Sequence, residues 1–146
     1  MVPKSLLDRP GRPFVCAMLA NNETGVISDI ARIGQVVRGR GGRLHVDAVQ
    51  ALGKIAIDFS TLGADSLSLS AHKIGGPQGV GALVYDRDRT VKPLLIGGGQ
   101  ELSLRAGTEN VPGIAAFAAA IAVARAPDTT VQSTVEKALR DKGVTI

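Results

Sequence analysis

Apolar residues in this chain come in short runs that stop abruptly at polar or glycine-rich positions. Phe14-Val15-Cys16-Ala17-Met18-Leu19 is continuous and apolar, which predicts a strand covered on both faces, as at the centre of a parallel sheet. Leu44-His45-Val46-Asp47 predicts a second buried strand that delivers Asp47 at its end. In Ala64–Leu69, leucines alternate with small residues, predicting a third strand. Between the first two strands, Ile30, Ile33 and Val37 recur at helical spacing. Ser28 can cap that helix with Asp29 in its first turn, and glycines at 39–42 end it. Gly79–Tyr85 predicts a fourth strand. Too little chain separates it from the third for a crossover helix, so this pair should be antiparallel. Residues 93–96 add a possible brief strand. Asn110 and Pro112 open a helix whose residues 114–124 are apolar nearly all round, predicting burial on more than one side. A last amphipathic helix starts at Thr129 or Thr130, with Val131, Val135 and Leu139 on one face and Gly143 at its close. The expected class is α/β, a partial, mixed, mostly parallel sheet flanked by helices. Residues 1–13 read as a loose entry segment, 14–126 as the core, and 127–146 as a C-terminal helix.

Composition narrows the picture. The 146 residues suffice for one core. With three Phe, one Tyr and no Trp, small side chains must do much of the packing. Cys16 is the sole cysteine, which excludes an internal disulfide and points to a reducing compartment. Within its apolar run it reads as a small buried residue rather than a nucleophile. The first residues lack the apolar stretch of a signal peptide, and the apolar helix is too short to span a bilayer. A cytoplasmic protein without membrane contact is therefore expected. The net charge of +4 comes with two basic clusters, Arg38/Arg40/Arg43 and Arg87/Arg89/Lys92. No aromatic residues interleave with them, so they read as solvated edges rather than a nucleic-acid surface. Two histidines and one cysteine at unrelated spacings give no metal site.

The chemistry gathers at the predicted strand ends. Asn22 follows the first strand, Asp47 and Gln50 the second, and Ser70, His72 and Lys73 the third. In open α/β sheets, ligand residues cluster at the carboxyl ends of strands. Taken alone, Lys73 is a turn lysine before Gly75, Gly76 and Pro77. At the end of a buried strand it should be partly stripped of water, which favours the neutral amine that adds to an aldehyde. A carboxylate paired with such a lysine fits pyridoxal phosphate: the lysine forms the Schiff base and the acid keeps the ring nitrogen protonated. Ser70 and His72 would hold the phosphate by hydrogen bonds. His45 reads as a packed strand histidine. The Gly75–Gly81 run is no P-loop, since its lysine precedes the glycines and a strand follows. Ser70 and His72 lack the nucleophile elbow of a hydrolase.

Four stretches in order, NNETG (21–25), HVDAVQ (45–50), SAHKIGGPQGVGAL (70–83) and GGGQE…LRAGT (97–108), resemble the cysteine desulfurases of the class V, fold-type I aminotransferase group, in their NifS/IscS-type branch. The resemblance runs from about Phe14 to Arg125 and implies the large cofactor-binding domain of a pyridoxal-phosphate enzyme. It implies Lys73 as the Schiff-base lysine and proton carrier, Asp47 on the pyridine nitrogen and Gln50 on the phenolic oxygen. Asn22 would sit near that oxygen or the substrate carboxylate, and Val49 would press on one ring face. Ser70 and His72 would bind phosphate, and Thr108 would reach the phosphate of the other subunit. The 97–108 loop would then also form a homodimer interface. The implied reaction converts L-cysteine to L-alanine and passes sulfur to an enzyme cysteine persulfide, for delivery to a scaffold protein in iron–sulfur cluster assembly. The family's N-terminal phosphate turn and ring-stacking histidine, and its C-terminal persulfide cysteine and carboxylate-binding arginine, have no counterpart in these 146 residues, and Cys16 does not match that cysteine. The chain by itself is therefore expected to lack desulfurase activity. Selenocysteine lysis or another class V reaction, and a non-catalytic folded or dimerising fragment, are the alternatives.

Overall fold

The computed structural model of the chain describes residues 11–88, 90–124 and 129–145. Strand β1 (Phe14–Met18) leads through helix α1 (Ile30–Arg38) to strand β2 (Arg43–Asp47). The short helix α2 (Phe59–Leu62) then precedes strand β3 (Ser66–Ser70), a single 3-10 turn at Ala71–Ile74, and strand β4 (Gly81–Tyr85). Helices α3 (Val111–Val123) and α4 (Thr130–Asp141) follow. The four strands lie in sequence order in one sheet. β1, β2 and β3 are parallel, with Met18 opposite Asp47 and Asp47 opposite Ser68. β4 runs antiparallel to β3, pairing Ser70 with Gly81, as the short connection requires.

The main core lies between the sheet, α1 and the turn after β2. Leu44, Val46 and Val37 are the largest side chains wholly withdrawn from solvent. Each such burial is worth about 1.5–3 kcal/mol. Leu19, Ile30, Ala48, Ala51 and Leu67 complete this cluster. A second, smaller cluster joins Ala71, Val80 and Phe117 and so packs α3 on the lysine turn. Asp65 braces the entry to β2: its Oδ2 accepts from the Leu44 N–H at 2.8 Å, and its own N–H donates to the Leu44 carbonyl at 2.8 Å.

Several expectations are corrected. β1 is an edge strand, not a central one. Cys16 is exposed because no described element covers its face of β1, whereas Val15 and Ala17, on the other face, pack against the main core. Asp29, not Ser28, caps α1: its Oδ1 accepts from the Arg32 N–H at 3.0 Å. Ser28 instead donates its N–H to the Leu19 carbonyl at 2.9 Å, closing the turn that returns from β1. Residues 93–96 form no strand; Pro93 cannot donate to a ladder, and Leu94 stands 93% exposed. Helix α3 buries only Gly113, Phe117 and Ala120, while Val111, Ile114, Ile121 and Val123 are exposed. Its all-round apolarity does not correspond to burial on several sides. The α4 stripe of Val131, Val135 and Leu139 is exposed too. Of the entry segment expected at 1–13, residues 1–10 lie outside the described residues, as do 125–128 at the boundary before α4.

Candidate active site

The parallel register sets the carboxyl ends of β1, β2 and β3 side by side. After β1, the Leu19 N–H donates to the Asp47 carbonyl at 2.9 Å, tying the Asn21–Gly25 turn to the end of β2. Asn21 organises that turn: its Oδ1 accepts from the N–H groups of Glu23 and Thr24 at 2.9 and 3.0 Å. Asn22 is exposed beside it, with Nδ2 donating to Glu23 Oε1 at 2.6 Å.

Asp47 is half-buried at the end of β2. Its Oδ1 accepts from the Val49 N–H at 3.0 Å. Among the described residues this is its one side-chain hydrogen bond, which leaves Oδ2 for a further donor. The chain then makes two tight turns over 48–55, with the Ala51 and Leu52 N–H groups both donating to the Ala48 carbonyl at 3.0 Å. Ala48 and Ala51 are fully buried. These turns carry half-buried Val49 and Gln50. Lys54 reaches back to Gln50, its Nζ donating to the backbone carbonyl at 3.1 Å and to Oε1 at 3.3 Å.

The lysine turn follows β3 directly. Gly75 closes it at φ 82, a left-handed conformation suited to glycine, and the Gly76 N–H donates to the Ala71 carbonyl at 2.9 Å. Ser70 Oγ and His72 Nδ1 lie 2.8 Å apart, already hydrogen-bonded to each other. Lys73 is exposed, which corrects the expected loss of water: the turn carries it beyond the carboxyl end of β3, and no described element covers it. Among the described residues its Nζ makes no hydrogen bond or ion pair. The turn is joined to the Gln50 segment at Gly53, where a Cβ would meet Ile74 Cγ2 at 2.9 Å.

Asn22, Asp47, Val49, Gln50, Ser70, His72 and Lys73 thus all lie at or just beyond the carboxyl ends of the parallel strands β1, β2 and β3. Thr108 is exposed in the loop before α3, and no hydrogen bond ties it to this group. His45 is half-buried in β2 with Nδ1 2.8 Å from Ser66 Oγ, a packed strand histidine as expected. Sequence reasoning missed Gly53 and Lys54. The available signal was the G-K pair three and four residues after Gln50, the spacing at which a turn folds a side chain back.

The donor set suits a phosphorylated pyridine aldehyde. It offers a primary amine without a protein partner, a carboxylate with one oxygen uncommitted, an amide, and a hydroxyl–imidazole pair able to face phosphate. Among the described residues no group of three or more His, Cys, Asp or Glu is placed to hold a metal ion, and no helix is long and apolar enough to cross a membrane.

Comparison with known proteins gives the family. The class-V aminotransferase family profile matches residues 4–144. The chain is 48% identical over 129 residues to cysteine desulfurase 2 of Trichormus variabilis, covering 88% of this chain and 32% of that protein. It is 47% identical over 119 residues to the cysteine desulfurase IscS of Anaeromyxobacter dehalogenans, covering 80% of this chain and 30% of the relative. The chain therefore spans about a third of the length of these curated relatives. Among solved structures, a NifS-like protein from Rickettsia africae superposes with a TM-score of 0.85 at 39% identity, over 94% of this chain and 41% of that one. A structure of SspA in complex with cysteine superposes at 0.79 with 38% identity, over 91% and 39% of the two chains. By fold, by family profile and by relatives close to half identical, the chain belongs to the class-V aminotransferase family.

Proposed function

We propose that residues 14–126 form the core of the cofactor domain of a cytoplasmic, pyridoxal-phosphate-dependent cysteine desulfurase, with 127–146 leading on from it. The observation that supports this reading is the parallel pairing of β2 with β3, whose carboxyl ends lead directly into Asp47 and Gln50 on one strand and Lys73 on the other. The bound cofactor supplies an aldehyde and an electron-withdrawing ring that takes up the electron pair released at the substrate Cα. Lys73 Nζ would be the amine that holds the cofactor, and it would move the proton at the substrate Cα. Asp47 Oδ2 would hold a proton on the ring nitrogen, with the Val49 N–H bonded to Oδ1 orienting the carboxylate. Val49 would press on one ring face. Gln50 would donate to the ring oxygen, with Asn22 close to it or to the substrate carboxylate. Ser70 and His72 bind the phosphate, joined by Thr108 from a second copy, so that the 97–108 loop serves as a homodimer interface.

The balanced reaction is L-cysteine plus a thiol giving L-alanine plus a persulfide. The C–S bond breaks, and the sulfur forms a new bond to the acceptor thiol. That thiol is a cysteine other than Cys16, which sits within β1. Passage of the persulfide sulfur to an iron–sulfur scaffold protein would follow. Two relatives of this chain bear the name cysteine desulfurase, which favours cysteine over selenocysteine as the substrate.

The test is chemical. Pyridoxal phosphate is added to the purified chain, the adduct is reduced with borohydride, and the modified lysine is located by mass spectrometry. The expected result is selective modification of Lys73 and its loss in Lys73→Ala. Equal labelling of Lys54, Lys92 and Lys137 alongside Lys73 would overturn the reading.

A further inference from the structure

We propose that Lys54 is a positioning residue that fixes which end of the Gln50 side-chain amide faces the cofactor, an inference that rests on the cofactor reading above. A glutamine amide is nearly symmetric in shape but opposite in chemistry at its two ends, an acceptor oxygen and a donor nitrogen. Left free, it can present either end to a ligand. An ammonium group is donor-only. Lys54 Nζ lies 3.3 Å from Gln50 Oε1 and 3.1 Å from the Gln50 backbone carbonyl, so it holds two oxygens of one residue. With Oε1 engaged by a cation, Nε2 is the end left to act on a ligand.

This arrangement selects an anionic or acceptor group opposite Gln50. A flipped amide would set nitrogen against ammonium and oxygen against the ionised ring oxygen, two repulsive contacts in place of two attractive ones. The backbone makes the arrangement rigid. The Lys54 and Ile55 N–H groups donate to the Ala51 carbonyl at 3.0 and 3.1 Å, and Gly53 at φ 72 turns the chain so that Lys54 faces back along it. Lys54 itself is exposed and supports no core packing, so its replacement tests the hydrogen bond rather than the fold.

The experiment follows the visible absorption band of the protein loaded with pyridoxal phosphate as a function of pH. A donor on the ring oxygen withdraws electron density and makes the linked nitrogen less basic. Loss of that donor moves the midpoint of the band's titration to higher pH. Lys54→Met is expected to raise the midpoint by about 0.5 pH unit, the share of one exposed charge-assisted hydrogen bond. Lys54→Arg, still a donor-only cation, should restore it. In a Gln50→Ala background, where the midpoint is already raised, Lys54→Met should add nothing, since the effect runs through Gln50. Asp47, His72 and Lys73 are common to every variant and cancel in the comparison. An unchanged midpoint in Lys54→Met, or an equal shift with and without Gln50, overturns the role of Lys54 while leaving the cofactor reading standing. A chain that develops no band overturns the cofactor reading and this inference with it. If circular dichroism shows Lys54→Met unfolded, Lys54→Ala carries the same measurement.

Discussion

Replacing Gly53 with alanine should loosen the joint between the Gln50 segment and the lysine turn. Gly53 adopts φ 72. A non-glycine residue pays about 1–2 kcal/mol to enter that region. The new methyl would also lie 2.9 Å from Ile74 Cγ2 and 3.2 Å from Ala124 Cβ, well inside the roughly 3.5–4.0 Å of an unstrained carbon contact. Overpacking of this kind adds about 1–3 kcal/mol. The total, about 2–5 kcal/mol, is a large share of the stability of an ordinary domain, about 5–15 kcal/mol. Gly25 is the internal control. Its φ is 71, yet nothing lies within 4 Å of the position its Cβ would take, so Gly25→Ala pays the backbone cost without the contact. Urea unfolding of the two variants isolates the packing term, since the loss of unfolded-state freedom is common to both and cancels. Gly53→Ala should be the less stable of the pair by about 1–3 kcal/mol, and its Lys73 should also react more slowly with pyridoxal phosphate because Ile74 is the next residue. Equal stability losses in the two variants would refute the close approach at Ile74.

Phe117→Ala removes the largest side chain that α3 contributes to the cluster with Ala71 and Val80. A cost of about 3 kcal/mol, at the low end for a buried aromatic because the cluster is small, should appear in denaturant unfolding, with faster hydrogen exchange in α3 and the 71–74 turn. Asp58 tests acid dependence at the start of α2. Hydrogen bonds from the Ser60 hydroxyl at 2.6 Å and the Ser60 N–H at 2.9 Å hold its carboxyl below the ordinary value of 3.8. A depressed folded-state pKa gives stability that is present above the unfolded-state value and fades as pH falls through the folded-state value. Asp58→Asn should therefore be slightly less stable than the unsubstituted chain near neutrality, and the gap should close in acid below about pH 3.8; a gap constant with pH would contradict this.

The strand ends were legible because apolar runs report where a chain enters and leaves a sheet. Leu44–Asp47 and the run leading to Ser70 stop at polar residues, and the observed strands end at Asp47 and Ser70. The antiparallel fourth strand followed from chain length alone. Capping of α1 was misplaced by one residue because Ser28 and Asp29 are both good caps; the choice depended on the Leu19 carbonyl, a partner nine residues away that claims the Ser28 N–H. Lys54 and Gly53 escaped notice because their contacts, to Gln50 and Ile74, depend on the exact course of the turns at 48–55. Burial was the property least readable. Cys16, Ile114 and Leu139 carry the apolar signature of covered positions and yet are exposed, because periodicity records which face of an element is apolar and not whether a neighbour is there to cover it.

That distinction bears on the chemistry. The rigid part of the site is made by backbone: the paired strands, the Ala48 and Ala71 turns, and the Val49 N–H on Asp47. The groups proposed to act on a ligand, Lys73, His72 and Thr108, stand in solvent. In water two unit charges at 4 Å interact by about 1 kcal/mol, against about 4 kcal/mol near a protein surface where the effective dielectric is lower. A phosphate approaching His72 or Lys73 at this open edge therefore gains little from charge alone, and salt screens it further. Placement can be encoded by the strand ends, but the strength of each contact depends on surface that excludes water from them. Pyridoxal phosphate should consequently find Lys73 with the right selectivity and modest affinity, weakening as ionic strength rises, and tight, salt-insensitive binding to these residues in the isolated chain would show that the edge is more enclosed than its exposed side chains indicate.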